Sequence, residues 1–344
     1  ASVRSVMFVP NRHMLLSVGF DSLIFVWDLA VIDALLLNRE PKGRRNERAA
    51  QPQIVRAARR IGGEAKASFI ALALSADQSV VAAGTTSGEI YLWDFPAGTL
   101  RRVLVGHSDI VRALAFWPDD GTLISASGDT SIRVWDVPSG RALNMLTEHQ
   151  GGVWALACCP TNHTFVSCSD DATARVWEMS QQRQSILTST IHGNVEAIEK
   201  MAWSRTDALS QTLIVTGNVL GQIRFWDASQ SQGSCRAELQ ELGPTSAMAF
   251  RSDGRLLAVG NNRQSATVRL WDATRAEVIG QLGGFDDCAT ALCFSPDGAM
   301  LACGAQSGQI TLWDVTNPSA NELRYLLNGH ALETNSLAFS ADGQ

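Results

Sequence analysis

The chain has 344 residues, a net charge of −6 and a hydrophobic content of 45%, which leaves no global basic field for nucleic acid. Its longest apolar runs are far too short to cross a bilayer, and ASVRSVMF opens the chain without the apolar core and small-residue cleavage site of a signal peptide. The seven cysteines, at 158, 159, 168, 235, 288, 293 and 303, form no C-x-x-C pair, which argues against a zinc site or a disulfide framework and for buried free thiols in a reducing, cytoplasmic compartment.

From the N-terminus, the first alternating run ends in LIFVWD, with Trp27 followed by an acid. The same ending recurs as IYLWD, SIRVWD, TARVWE, IRFWD, TVRLWD and ITLWD, placing tryptophans at 27, 93, 135, 177, 226, 271 and 313. Their spacings are 66, 42, 42, 49, 45 and 42, the mark of a repeat architecture. The first interval carries about 24 extra residues, AVIDALLLNREPKGRRNERAAQPQ, roughly 30 to 53. Residues 30–66 hold nine Lys/Arg against four Asp/Glu, a net +5, so the rest of the chain carries −11. The insertion reads as a solvated loop. A sharper reading makes it a docking element, with AVIDALLL as a short apolar helix and the basic run as a steering patch. No aromatic is interleaved with its arginines, so base stacking has nothing to use. IVRAARRIGG, which follows, reads as the outer strand of the first repeat.

Residues 107–146 show one whole period. IVRALAFWP alternates up to Pro118; a DDG turn leads to TLISAS, a Gly-Asp turn to SIRVWD, and a Pro-Ser-Gly turn to RALNMLTEH. That is four short strands separated by turn residues. In SIRVWD, Ile132 and Val134 point one way, Arg133 and Trp135 the other. A large aromatic opposite an aliphatic face predicts a sheet covered on both sides, as in blades stacked around an axis, with each Trp worth about 3–5 kcal/mol against Ala. After the seventh pair, ETNSLAFSADG at 333–343 begins an eighth copy and stops after one strand. Either a closed seven-bladed ring is followed by the start of a second propeller, or an eight-bladed ring lacks its remaining strands. In both readings the chain is part of something longer.

The seven Trp-acid pairs, Gly-His at 106–107 and 329–330, and Pro-Asp-Gly-type turns at 118–121, 252–254 and 296–298 resemble the WD-repeat family over nearly the whole chain. The resemblance implies an all-β fold, a β-propeller of four-stranded antiparallel blades, with seven the common number. On that reading residues 1–330 form the propeller and 331–344 the start of an eighth repeat or second propeller, and the match of His330 to the His-less blade 1 favours closure at seven. The family's buried tetrad of His, Ser, Asp and Trp falls on His107, Ser125, Asp129 and Trp135 in blade 3, and on His149, Ser167, Asp171 and Trp177 in blade 4. Blade 1 keeps Ser17, Asp21 and Trp27; blades 2, 5, 6 and 7 have Ser87, Leu220, Ser265 and Ser307 at the Asp position. Blades 3 and 4 are therefore expected to be the stiffest, and blades 5 to 7 to rest on apolar packing.

A Ser-His-Asp catalytic reading of His107, Ser125 and Asp129 is weakened because the same set recurs in blade 4, whereas a triad is a single site. No nucleophile elbow, P-loop or H-E-x-x-H is present, and His13, His163 and His192 are scattered, so neither a cofactor nor a metal is expected. The competing reading is a non-catalytic platform. The resemblance implies that a protein or peptide partner touches the narrower face of the ring, at the opening residues of each inner strand and the residue before the tetrad Asp. These are Arg4 and Phe20 in blade 1, Ile70 in blade 2, Ile110 and Arg112 in blade 3, Trp154 and Asp170 in blade 4, and Glu199 in blade 5; blades 6 and 7 offer small polar groups such as Ser246 and Thr290. Trp154 belongs to no Trp-acid pair, so it either packs over the channel rim or contacts a partner. Arg outnumbers Lys 25 to 3, pointing to a GC-rich, bacterial-type genome. There such propellers resemble sensor domains of larger signalling proteins carrying an NTPase, kinase or protease. The alternative is a scaffold subunit of a stable assembly. Neither nucleic acid nor membrane is expected as a partner.

Overall fold

A computed structural model describes residues 3–9, 14–20, 22–28, 59–63, 65–119, 121–159, 164–180, 183–192, 194, 196–203, 213–227, 234–241, 243–261, 267–283, 287–327 and 333–339. Each repeat is a four-stranded antiparallel meander, its strands hydrogen-bonded in chain order. Blade 1 holds β1–β4 (Val3–Val9, Met14–Gly19, Leu23–Asp28, Arg59–Gly62) and blade 2 β5–β8 (Phe69–Leu74, Val80–Thr85, Ile90–Asp94, Thr99–Leu104). Blade 3 holds β9–β12 (Val111–Phe116, Thr122–Ser127, Ile132–Asp136, Ala142–Leu146) and blade 4 β13–β16 (Val153–Cys159, Thr164–Ser169, Ala174–Met179, Ser185–Ile191). Blade 5 holds β17–β20 (Ile198–Trp203, Leu213–Asn218, Gln222–Asp227, Ser234–Gln240) and blade 6 β21–β24 (Thr245–Phe250, Leu256–Asn261, Val268–Asp272, Glu277–Leu282). Blade 7 holds β25–β28 (Ala289–Phe294, Met300–Ala305, Ile310–Asp314, Glu322–Leu327). Inner strands β1, β5, β9, β13, β17, β21 and β25 pack one on the next, so the seven blades form a ring, a seven-bladed β-propeller. IVRAARRIGG does supply the outer strand of blade 1, in β4. The insertion at 30–53, with Ser2, Asp21, His13, His163, Ser265 and His330, lies outside the described residues. No helix of the described residues is long and apolar enough to cross a membrane.

The alternation in the third strand explains the stacking. Trp135 clusters with Ile90 and Leu92 of blade 2, while Ile132 and Val134 on the opposite face receive Trp177 of blade 4. The same step repeats from blade 4 to blade 5 (Val176, Trp226), from 5 to 6 (Phe225, Trp271) and from 6 to 7 (Leu270, Trp313). A period of two along the strand therefore becomes a period of one blade around the ring. Second strands have both faces covered and are buried over most or all of their length, as in VVAAGT and TLISAS; outer strands are largely exposed, as in Thr99–Leu104.

The predicted tetrads are assembled in blades 3 and 4. The Trp135 indole N–H donates to Ser125 Oγ at 2.8 Å, Ser125 Oγ lies 2.7 Å from His107 Nε2, and His107 Nδ1 lies 2.8 Å from Asp129 Oδ2. Blade 4 repeats it through Trp177, Ser167, His149 and Asp171 at 2.9, 2.7 and 2.8 Å. With the indole proton on the hydroxyl oxygen, the hydroxyl's own proton is free for Nε2, which leaves the Nδ1–H for the carboxylate. A fifth member extends each set: the Ser131 and Thr173 hydroxyls donate to Asp129 and Asp171 at 2.7 Å. Burial by itself would raise these carboxyls. The hydrogen bonds from His107 with Ser131, and from His149 with Thr173, outweigh it and hold both well below the usual carboxylate range. His107, Ser125, His149 and Ser167 are buried, so each hydroxyl is spent on joining strands.

Elsewhere the network thins as the sequence implied. Trp27, Trp226 and Trp313 donate to Ser17, Thr216 and Thr311. Trp93 and Trp271 leave buried indole N–H groups without an acceptor, because Ala83 and Val259 stand where Ser125 stands in blade 3. At the Asp position of blade 5, Leu220 is exposed, and Asn218 Oδ1 accepts the turn amides of Leu220 and Gln222 instead. The described cysteines are free thiols. Cys168, Cys288 and Cys303 are buried, and desolvation pushes Cys168 up to about 12. Cys235 departs from the buried reading and is exposed, because it lies on the outer strand β20.

Two variants test the indole–hydroxyl step. Ser125→Ala leaves a buried indole N–H and imidazole unpaired and should cost about 1–3 kcal/mol, whereas Ala83→Ser should stabilise by about 0.5–1.5 kcal/mol by giving Trp93 an acceptor; urea unfolding curves read both. The lowered carboxyls add an acid limb. Their stabilisation is complete above the unfolded-state pKa of about 4 and is lost as pH falls towards the folded value. Asp129→Asn should therefore lower stability at pH 7 and shrink the further loss between about pH 4 and pH 2.

Candidate functional site

The second residue of every inner strand is out of step with its partner strand. The register slips between Val3 and Ser5, Phe69 and Ala71, Val153 and Ala155, and Ile198 and Lys200, and opposite Ser127 in blade 3. The residues passed over are Arg4, Ile70, Trp154, Glu199 and Arg112, five of the predicted contact positions. A β-bulge re-aims the side chain it carries. In blades 6 and 7 it falls on Ser246 and Thr290. The sequence located these positions without showing the bulge that makes them special.

Arg112 and Trp154 occupy the bulges of neighbouring blades, so the ring brings them together. The Arg112 guanidinium carbon lies 3.6 Å from the Trp154 ring centroid, and the Trp154 indole N–H donates to Asp170 Oδ1 at 2.5 Å. Asp170 is fixed by its own amide, which donates to the Gly152 carbonyl at 3.0 Å. Gly152 leaves the space this carboxylate occupies; a Cβ there would lie 3.0 Å from Asp170 Oδ2. The Trp154 side chain is half-buried and Asp170 is exposed. Among the described residues no carboxylate lies within ion-pair distance of Arg112, and its Nε is buried without an acceptor. The triad therefore presents an aromatic plane, a cation stacked on it and a carboxylate at its edge, with the remaining guanidinium N–H groups uncommitted.

A smaller counterpart sits in blade 1. Arg4 stacks 4.5 Å from the Phe20 ring, which is 43% exposed, but its charge is shared with Glu333 at 3.5 Å. Ile70, Ile110 and Glu199 are half-buried on the same rim. The predicted residues thus resolve into one three-membered cluster across blades 3 and 4, one pair in blade 1, and three single positions. Sequence reading missed Asp109, whose exposed carboxylate lies beside Gly128 near Arg112, and Glu333, the partner of Arg4. Asp109 lies three residues before Arg112 at the entry to the same inner strand, whereas Glu333 meets Arg4 only through the ring.

The family model described as WD domain, G-beta repeat matches residues 1–28, 98–136, 140–178 and 276–314. Similar curated proteins include Pre-mRNA-processing factor 19 homolog 2 of Arabidopsis thaliana, 29% identical over 132 residues, 38% of this chain and 23% of that protein. WD repeat-containing protein VIP3 of the same plant is 31% identical over 106 residues, 27% of this chain and 32% of its own. Periodic tryptophan protein 2 homolog of Schizosaccharomyces pombe is 38% identical over 74 residues, 21% of this chain and 8% of its own. The chain thus spans a third or less of the length of these relatives.

If the stack orients Trp154, then Arg112→Ala should move the Trp154 resonance in a 5-fluorotryptophan-labelled protein, assigned with Trp154→Phe, and leave that of buried Trp135 in place. An unmoved Trp154 signal would mean that Asp170 alone holds the ring.

Proposed function

We propose, from the premise that this chain is a WD-repeat β-propeller, that it is a non-catalytic platform binding a protein or peptide through the rim of blades 3 and 4, with blade 1 as a second contact. The observation that carries the reading is Trp154. The repeat does not require it, the fold leaves it half-buried, and Arg112 and Asp170 hold it in one orientation. Pre-ordered Trp and Arg side chains dominate interface energies because they bring large area at small entropic cost. The uncommitted N–H groups of Arg112 suit a carboxylate or phosphate on the partner, and Asp170 and Asp109 beside it select against a densely acidic one.

The absence of catalysis is part of this proposal. Both His-Ser-Asp sets are buried with their hydroxyls engaged, and among the described residues no three His, Cys, Asp or Glu side chains are grouped to hold a metal. The free thiols support a reducing intracellular compartment. Membership in a larger signalling protein rests on the arginine bias alone. The scaffold reading draws on relatives named for pre-mRNA processing and for WD repeats, and both readings use the same rim.

Affinity capture with the wild-type chain, the Trp154→Ala/Arg112→Glu variant and an Arg141→Glu control tests the rim. Arg141 follows the turn after β11, which opens on the opposite side of the ring. A true partner should weaken at least about 30-fold with the double variant, from about 2 kcal/mol lost at the hot spot, and be retained by the control. Equal retention by both variants, with unchanged thermal unfolding, refutes the rim as the site.

A further inference from the structure

The outer strands divide the wall of the ring by charge. β4 and β8, of blades 1 and 2, carry Arg59, Arg60, Arg101 and Arg102 and no acidic residue. The outer strands of blades 4 to 7 carry two arginines against three glutamates. All four arginines of β4 and β8 are exposed, in a chain whose net charge is −6.

Two of them are seated rather than free. The register places Arg59 opposite Val26 and Arg102 opposite Leu92, the second aliphatic residue of each third strand. That residue packs towards the next blade, Val26 with Trp93 and Leu92 with Trp135, so both guanidiniums cross a blade boundary. Arg59 donates to the carbonyls of Pro96 and Ala97, in the turn after β7 of blade 2. Arg102 donates to the Pro138 carbonyl at 3.3 Å, in the turn after β11 of blade 3. Each turn ends in a glycine with φ +71°, Gly98 and Gly140. A Cβ on Gly98 would lie 2.7 Å from Arg59 Nη2, and one on Gly140 would strike Arg102 Cδ. The glycines that close the turns therefore also leave room for the arginines.

The stacking of blades does not require arginine there. The same position holds Asn144 in blade 3, Ser189 in blade 4, Ala237 in blade 5 and Gly280 in blade 6. Asn144 still ties its blade to the next, through Ser185 O at 3.3 Å, and Gly280 lets the Pro318 carbonyl of blade 7 pack directly against it. Nor are the charges cancelled. A carbonyl fixes a guanidinium's orientation and leaves its charge whole. Among the described residues only Arg101 of the four has a carboxylate within ion-pair distance, Asp94 at 2.6 Å. Charges that merely keep an edge strand from aggregating need no fixed orientation.

We propose that the outer wall of blades 1 and 2 is a docking surface for an acidic segment of a protein partner, with Arg59 and Arg102 as pre-oriented contacts and Arg60 and Arg101 beside them. Seating the two guanidiniums lowers the entropy lost on binding and leaves the other N–H groups of each fork for carboxylates. A short acidic segment fits better than a nucleic acid. The positive patch spans two blades of a ring that is negative as a whole, so a long polyanion would also meet the repulsive remainder. The exposed apolar side chain of β8, Leu100, offers no ring on which bases could stack. This surface is separate from the rim of blades 3 and 4, and the inference stands without that reading.

Fluorescence anisotropy of a fluorescein-labelled octaglutamate peptide at low salt tests the wall. The wild-type chain should bind it. Arg102→Lys keeps the charge but replaces a seated fork with a point charge, and should weaken binding about tenfold. Arg60→Glu/Arg101→Glu should abolish it; these two side chains contact Phe25 and Asp94 of their own blades, so loss there does not come from a weakened blade boundary. Arg255→Glu, at an exposed arginine of blade 6, should leave binding unchanged. Equal affinities for wild type and Arg102→Lys, or an equal loss with Arg255→Glu, would mean a diffuse field instead of a built site and overturns the proposal. So does a wild-type chain that ignores the peptide, or one that binds octathymidylate more tightly, which would assign the wall to nucleic acid.

Discussion

The structure depends on one contact made repeatedly: the indole of a third strand laid on the aliphatic pair of the blade before it. Trp135 on Ile90 and Leu92 is the pattern. A single four-stranded sheet buries one face poorly and the other not at all, and is marginal alone. Stacking gives each sheet two covers, so stability becomes a sum over neighbouring interfaces. The alternation Ile-x-Val-Trp encodes this because a strand presents successive residues to opposite faces, and a one-residue slip would exchange indole and aliphatic faces at once.

Polar networks sharpen that packing unevenly. In blades 3 and 4 the indole proton starts a chain through hydroxyl, imidazole and carboxylate that ties the third strand to the second, to the segment before the first and to the turn between. Each member is satisfied, which makes a buried polar set favourable rather than costly. Blades 2 and 6 lack the hydroxyl and bear an unpaired indole N–H.

The rim follows from a different device. A bulge at the second residue of each inner strand takes that side chain out of the alternation that serves the core. It can then vary without disturbing the stacking, and it lies beside the same residue of the next blade. Arg112 and Trp154, 42 residues apart in the chain, meet for that reason. In blades 6 and 7 the same positions hold Ser246 and Thr290, whose hydroxyls reach the backbone of the following strand instead. One structural position thus carries the stacked Arg112–Trp154 pair on one arc of the ring and an inter-blade tie on another.

By itself the sequence determined the repeat, the four strands of each blade, the faces of Ile132, Val134 and Trp135, and the membership of both complete tetrads. These are local or periodic properties, readable wherever residues recur at fixed offsets. Only the tertiary structure decided that Arg112 stacks on Trp154 with Asp170 at its edge and that Arg4 shares its charge with Glu333. Arg112 and Trp154 are one 42-residue period apart, but the period does not say that their side chains touch, and nothing in the sequence relates Arg4 to Glu333. These contacts arise from closing a ring and from bulges whose slip in register leaves no mark in the residue pattern, so they had to be read from the arrangement of blades in space.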